Sequence, residues 1–274
     1  MLAKISSIFF TVLALLGASS VQAMEDPRVF RGVLILEGKI VRGDYVKLRG
    51  FLGDKAIFDK ISGGVFLASP GGDVAEAIRI GRLIRVLGLS TEAPSGEHHG
   101  WKPGLSAIDA DDLRDPRHNY ACASACFLLF VAGVHRNVNW AGRVGIHRPF
   151  RLQGNSALPR ADEDPFIDTA VRAAIERYLR EMDVPEKYVN FMFAIPSARV
   201  RWISQRELET DLDGFIPKLK EIVDRQCRGE ASTTEKNMAD CRADVGVRLR
   251  SALPAEAWRN VYGSVGESFP PVAR

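Results

Sequence analysis

Residues 64–88, GVFLASPGGDVAEAIRIGRLIRVLG, carry the reading on which the fold turns. The apolar run at residues 64–68 has the length and composition of a short buried strand, and Ser69-Pro70-Gly71-Gly72 closes it with residues that suit a tight turn. From Asp73 onward the period changes: Val74, Ala77, Ile78, Ile80, Leu83, Ile84 and Leu87 recur at helical spacing. A strand, a glycine-rich turn and a helix make half of a βαβ crossover, which places the chain in the α/β class.

Working outward, residues 29–37 (VFRGVLILE) read as a buried strand and residues 43–53 as an amphipathic helix. Residues 94–119 are polar and rich in Gly, Pro and Asp, so they read as a surface insertion. After them YACASACFLLFVAG sets small residues before an apolar helix, and HRNVNWAGRVGIH at residues 135–147 reads as two short strands with glycine between. Residues 165–182 open with proline and carry an apolar stripe through Ile167, Val171, Ala174, Ile175 and Leu179, which predicts a helix. Residues 184–194 predict another, and no internal repeat or low-complexity segment interrupts the pattern.

The chain has 274 residues, 46% of them hydrophobic and 26% charged, enough for one sizeable core with a small appendage. Its net charge of +3 is spread along the sequence rather than gathered into a basic block, which disfavours a nucleic-acid partner. The first 23 residues differ from the rest: Lys4, the apolar run FFTVLALLGA and small residues at Val21 and Ala23 form the pattern of a secretory signal peptide. The expected organisation is a leader at 1–23, an α/β domain at 24–219 and a C-terminal extension at 220–274. The mature chain is then periplasmic or secreted and has no membrane span.

Export lets disulfides persist. Cys227 and Cys241 lie in the polar C-terminal region, where a disulfide closing a short loop compensates for scarce apolar packing. Cys122 and Cys126 bracket Ser124. In a helix this spacing shares a face but suits a disulfide poorly, so two small buried thiols stand as an equal reading.

A serine hydroxyl becomes a nucleophile when a neighbouring base takes its proton and backbone N–H groups meet the developing oxyanion. Ser124 lies between alanines, where the backbone comes close to a substrate, at the start of a helix with free N–H groups. Ser69-Pro70-Gly71-Gly72 offers a second source of donors. The plain alternatives are a small serine chosen for helix packing and a βα turn without further duty.

FLASPGGDVAEAIRIG, YACASACFLLFVAG and GRVGIHRP, in that order, resemble the proteolytic subunit of the Clp protease over about residues 30–215. The resemblance implies a crotonase-like spiral of ββα units with a small C-terminal appendage. It also implies Ser124 as nucleophile, His147 as general base, and the N–H groups of Gly72 and Ala125 as oxyanion donors. The activity implied is a serine peptidase that needs no cofactor and acts on peptide or unfolded protein; ring assembly is common among such relatives, so a homo-oligomer is a possible state. In the slot where that family keeps the acid that orients its histidine, two residues before Trp202, this chain has Val200. Glu207, Asp211 and Asp213 are the carboxylates nearest in sequence.

The related signal peptide peptidases use a lysine base, but no lysine lies between Lys102 and Lys187, and arginine does not deprotonate to serve as one. A non-catalytic peptide-binding or assembly protein is the main rival, and an acyl-CoA enzyme of the same fold a distant one. Glu97, His98 and His99 match no metal-ligand spacing, so no metal is expected. Trp101, Trp140, Trp202 and Trp258 are too scattered for a binding platform.

Overall fold

A computed structural model describes residues 23–94, 121–138, 143–149, 169–197, 199–229 and 235–262. The predicted leader, the polar insertion, Glu97, His98, His99, Trp101 and Trp140 lie outside the described residues.

The chain begins with β1 (Arg28–Phe30) and β2 (Val33–Glu37), followed by α1 (Asp44–Gly53), α2 (Lys55–Phe58), β3 (Gly64–Ala68) and α3 (Val74–Val86). Next come β4 (Thr91–Ala93), β5 (Cys122–Ala123), α4 (Cys126–Phe130), β6 (His135–Val138) and β7 (Val144–Ile146). Helices α5 (Thr169–Glu181) and α6 (Lys187–Ala194), strand β8 (Arg201–Trp202), α7 (Gln205–Asp211) and β9 (Gly214–Phe215) lead into α8 (Pro217–Gly229) and α9 (Glu235–Tyr262). The run expected as one strand over 29–37 is two. Arg31 and Gly32 both take positive φ, 47° and 85°, and fold it into an antiparallel hairpin.

Six strands form one sheet in the order β1-β2-β3-β4-β6-β9, with β2, β3, β4 and β6 parallel and antiparallel strands at both edges. A second sheet, β5-β7-β8, pairs β5 with β7 in parallel and β7 with β8 antiparallel. Among the described residues, an extended segment stands between each parallel strand of the large sheet and the next helix: Ile40 bridges to Gly72 before α1, Ser69 bridges to Cys122 before α3, β5 precedes α4, and β7 precedes α5. This is the order of strand-strand-helix units that the resemblance implies.

The strands of the large sheet are buried along their whole length from β2 to β4, and the apolar face of α3 packs with α4 against them. Gly81 on α3 lets Tyr178 approach: a Cβ there would stand 1.8 Å from the Tyr178 hydroxyl, which donates to the Leu128 carbonyl at 2.6 Å. Asp73 caps α3 by accepting from the Glu76 N–H at 2.9 Å. Glu76, 3% exposed, accepts from the N–H groups of Gly43 and Tyr45 at 2.8 Å each, tying the start of α1 to α3.

The C-terminal helices do not stand apart. Cys227 and Cys241 form a disulfide that joins α8 to α9, with Val223 and Val245 buried beside it. Further along α9, the Trp258 indole donates to the Leu52 carbonyl and the Tyr262 hydroxyl to that of Arg49, returning the helix to the main core. Among the described residues no helix is long and apolar enough to cross a membrane.

Candidate active site

The turn after β3 meets the turn after β5. The Ser69 N–H donates to the Ala121 carbonyl at 2.9 Å and the Ala123 N–H to the Ser69 carbonyl at 3.0 Å, so the two segments continue each other's ladder. Ser69 then turns its hydroxyl onto the Gly71 N–H at 3.1 Å, and the chain passes through Gly71 and Gly72 with φ of 97° and 145°. Neither position has room for a side chain. A Cβ on Gly71 would stand 2.5 Å from the Ser124 Cβ and 2.8 Å from the Ala125 nitrogen, and one on Gly72 would stand 2.0 Å from the Ile40 carbonyl oxygen.

Ser124 takes φ of 59°, in the left-handed region that a serine seldom adopts. The turn is held from both sides: its N–H donates to the Gly145 carbonyl at 2.9 Å, and its own carbonyl accepts from Phe127 at 3.0 Å. Helix α4 begins only at Cys126, so Cys122 belongs to a strand and Cys126 to a helix. The expectation of poor geometry assumed one continuous helix. With the kink at Ser124 the two Cα atoms are 5.1 Å apart, and the cysteines form a disulfide. Among the described residues the N–H groups of Gly72 and Ala125 have no acceptor. Gly71 packs on the Ser124–Ala125 turn, so the two segments that carry these N–H groups are in contact.

His147 follows β7 by one residue. β7 pairs Val144 with Cys122 and Gly145 with Ala123, so His147 lies two residues past the last pair, just as Ser124 and Ala125 follow it on the other strand. It is 8% exposed, and its Nδ1 lies 2.9 Å from the Arg148 carbonyl, to which it can donate. Burial lowers its pKa from the ordinary histidine value, with the hydrogen bond to Arg148 opposing in part. The shift favours the neutral ring, the form a base needs. The Ser124 hydroxyl makes no hydrogen bond to His147 in this state. Catalytic hydrogen bonds are often long before substrate binds.

Strand β8 runs antiparallel to β7, with Gly145 opposite Trp202 and Ile146 opposite Arg201. Continued by one residue beyond the printed strands, this register would set Val200 across from His147. A Cβ built on Gly145 would lie 2.5 Å from a Val200 methyl, so Val200 projects on the face that Gly145 and His147 share. The three carboxylates nearest in sequence are engaged elsewhere. Glu207 pairs with Arg201 at 2.7 Å and closes the capping box of α7 with Ser204. Burial would raise its pKa, but the bonds from Arg201 and Ser204 prevail and bring it to about 2. Asp211 accepts from the Tyr188 hydroxyl and pairs with Lys187. Asp213 accepts from the Val138 N–H in the large sheet.

The short helix behind the serine is fixed at its far end by two arginines that the sequence reading did not single out. Arg85 donates to the carbonyls of Val131 and Ala132. Arg136, 3% exposed, donates to those of Val131 and Met182. A basic residue at a helix C-terminus is the general signal for such caps, but both arginines reach α4 from other elements. A cavity of about 280 Å³ lies away from Ser124, at the N-terminal ends of β3, β4 and β6, under α9 and lined in part by His135 and Arg250.

No family model matches the chain, and no curated protein does. Among solved structures it is similar to a serine-to-alanine mutant of a membrane-bound stomatin-specific protease, with 14% identity, a TM-score of 0.42, and coverage of 68% of this chain and 80% of that one. It is also similar to an enoyl-CoA hydratase/isomerase family protein from Silicibacter pomeroyi, with 14% identity, a TM-score of 0.37, and coverage of 87% of this chain and 88% of that one.

Proposed function

We propose that the chain is an exported serine peptidase in which Ser124 is the nucleophile and His147 the general base. The observation that carries this reading is the Ser124 turn itself. A serine held in a left-handed conformation is pressed against a two-glycine turn, with the unpartnered N–H groups of Gly72 and Ala125 in the same two turns and a histidine just past the end of the adjoining strand. In the proposed course Ser124 Oγ attacks a peptide carbonyl while His147 Nε2 takes its proton. The oxyanion is met by Gly72 and Ala125, and His147 returns the proton to the leaving amine. Water then attacks the acyl-enzyme by the same route. The Arg148 carbonyl serves in place of the orienting acid, since it fixes the tautomer, although it supplies no full negative charge to the imidazolium.

The test is labelling of the mature protein with a fluorophosphonate serine-hydrolase probe, with the modified peptide mapped by mass spectrometry. Labelling at Ser124 that is absent in Ser124→Ala supports the reading, and labelling elsewhere or equal labelling of the variant removes it. Val200, just beyond the paired residues of β7 and β8 and in the slot where the Clp-type acid is expected, favours a second reading, a fold that binds peptide without turnover. Peptide affinity unchanged in Ser124→Ala, with no probe labelling of the parent protein, would select that one.

A further inference from the structure

We infer that the Cys122–Cys126 disulfide is a positioning element of the Ser124 site, so that the serine becomes competent only in the oxidised chain. This rests on the peptidase reading above for its consequence, though not for its structural half. Within five residues the backbone must leave β5, pass through the left-handed region at Ser124, and enter α4 with the Ala125 N–H free. Position 124 has neither the glycine nor the asparagine that selects such a conformation unaided. The segment is made of small side chains, so its conformation rests on the hydrogen bonds of Ser124, the packing of Gly71 and the bond between the flanking cysteines.

The disulfide adds a covalent constraint to these contacts. Its two ends are the residues that flank the turn, and both sulfurs belong to fully buried residues. A tie across so few residues removes little freedom from the unfolded chain compared with a tie across a long loop. Its effect is therefore concentrated on the separation of Cys122 and Cys126, and through it on the direction of Ser124 Oγ and the Ala125 N–H. Cys227–Cys241, with a sequence separation of 14 and no contact with this turn, has the opposite character.

Formation of the bond is a two-electron step. The two thiols lose two protons and two electrons to an external disulfide oxidant, which leaves as two thiols. A chain made in a reducing compartment would carry Cys122 and Cys126 as thiols and hold Ser124 unclamped. Once the bond is made and buried, small reductants have no path to it in the folded state, so arming accompanies oxidative folding and is not readily reversed.

The experiment uses the C227A/C241A variant, in which Cys122 and Cys126 are the remaining cysteines. It is folded either with oxidised glutathione or with dithiothreitol, and the C122A/C126A protein is prepared alongside. Two quantities are read after circular dichroism has established that each form is folded: the rate of fluorophosphonate labelling at Ser124, and the amide hydrogen exchange of Ser124, whose N–H is bonded to Gly145. Displacing a reacting group by an ångström costs about a hundredfold in rate, which is the expected loss in the reduced form and in C122A/C126A. Exchange at Ser124 should quicken while that of Val65 and Phe66 in β3 stays unchanged. Equal labelling and equal exchange in the oxidised and reduced forms would overturn the inference, as would slower labelling with unchanged exchange at Ser124. Absence of labelling in every form ends the peptidase reading, and the exchange comparison then decides the clamp alone. The dithiothreitol-folded chain removes no side chain, so it remains informative where C122A/C126A does not fold.

Discussion

Gly71 packs so closely on Ser124 that a methyl group at position 71 would stand 2.5 Å from the Ser124 Cβ. Gly71→Ala must therefore push the serine turn away or move the strand behind it, and φ of 97° adds strain for any L side chain. The expected loss of stability is about 2 kcal/mol, with Ser124 labelling reduced about a hundredfold. Urea denaturation and probe kinetics check both. Retention of the parent labelling rate would mean that the two turns are not coupled.

The strand, glycine turn and helix at residues 64–88 were legible because three short-range signals agree there: an apolar run, turn residues, and an apolar stripe of helical period. What escaped reading depends on single backbone angles or on distant partners. Positive φ at Arg31 splits a continuous apolar run into two strands, and positive φ at Ser124 turns an apparent helix spacing into one that a disulfide spans. Arg85 and Arg136 reach the α4 carbonyls from remote segments, and no local pattern announces that. The return of α9 through Trp258 and Tyr262 was hidden for the same reason, since its two anchors sit at the end of a helix that is otherwise polar.

Val200→Asp sets a carboxylate across from His147 in the continued β7–β8 register, on the face of β7 that the imidazole occupies. A neighbouring anion stabilises the imidazolium formed during attack, and the gain in labelling rate should be roughly tenfold to a hundredfold. It also favours the protonated ring, so the acid limb of the pH-rate profile should move to higher pH than in the parent chain. A rate that is unchanged across the profile would show that position 200 does not reach His147.

Arg136 is 3% exposed and spends its guanidinium on the Val131 and Met182 carbonyls. Arg136→Met keeps most of the volume but removes the buried charged donor from both carbonyls and leaves Arg85 as their remaining donor. The expected cost is about 2 kcal/mol, for the loss of hydrogen bonds from a charged donor, read as a lower denaturation midpoint with an unchanged slope. A loss below about 0.5 kcal/mol would show that Arg85 alone satisfies the carbonyls.

The Cys227–Cys241 disulfide closes a loop of sequence separation 14 between α8 and α9. C227A/C241A should lose about 3 kcal/mol, the chain-entropy value for a loop of this size. Because α9 returns to the core through Trp258 and Tyr262, the helix should stay docked, and Trp258 fluorescence should keep its parent maximum under native conditions. A red-shifted maximum would mean that the disulfide, not the aromatic contacts, holds α9 in place.

Acid should destabilise the fold through its buried histidines before it reaches the carboxylates. His135 lies against the Phe215 ring, with Arg250 of α9 at 3.4 Å from its Nε2; burial, and then the Arg250 charge, push its pKa down to about 4 from 6.5. His147 is shifted in the same direction by burial. Between pH 6.5 and about 4 the unfolded chain takes up a proton at His135 that the folded chain refuses, so stability falls as pH falls through that window and levels below it. His135→Gln removes this dependence, since glutamine does not titrate. The difference in unfolding free energy between pH 7 and pH 4 should be smaller in the variant by about 2 kcal/mol, allowing for partial solvent access to the ring. The same slope in variant and parent would place the His135 pKa near its unfolded value, and with it the desolvation of the pocket under α9 would be refuted.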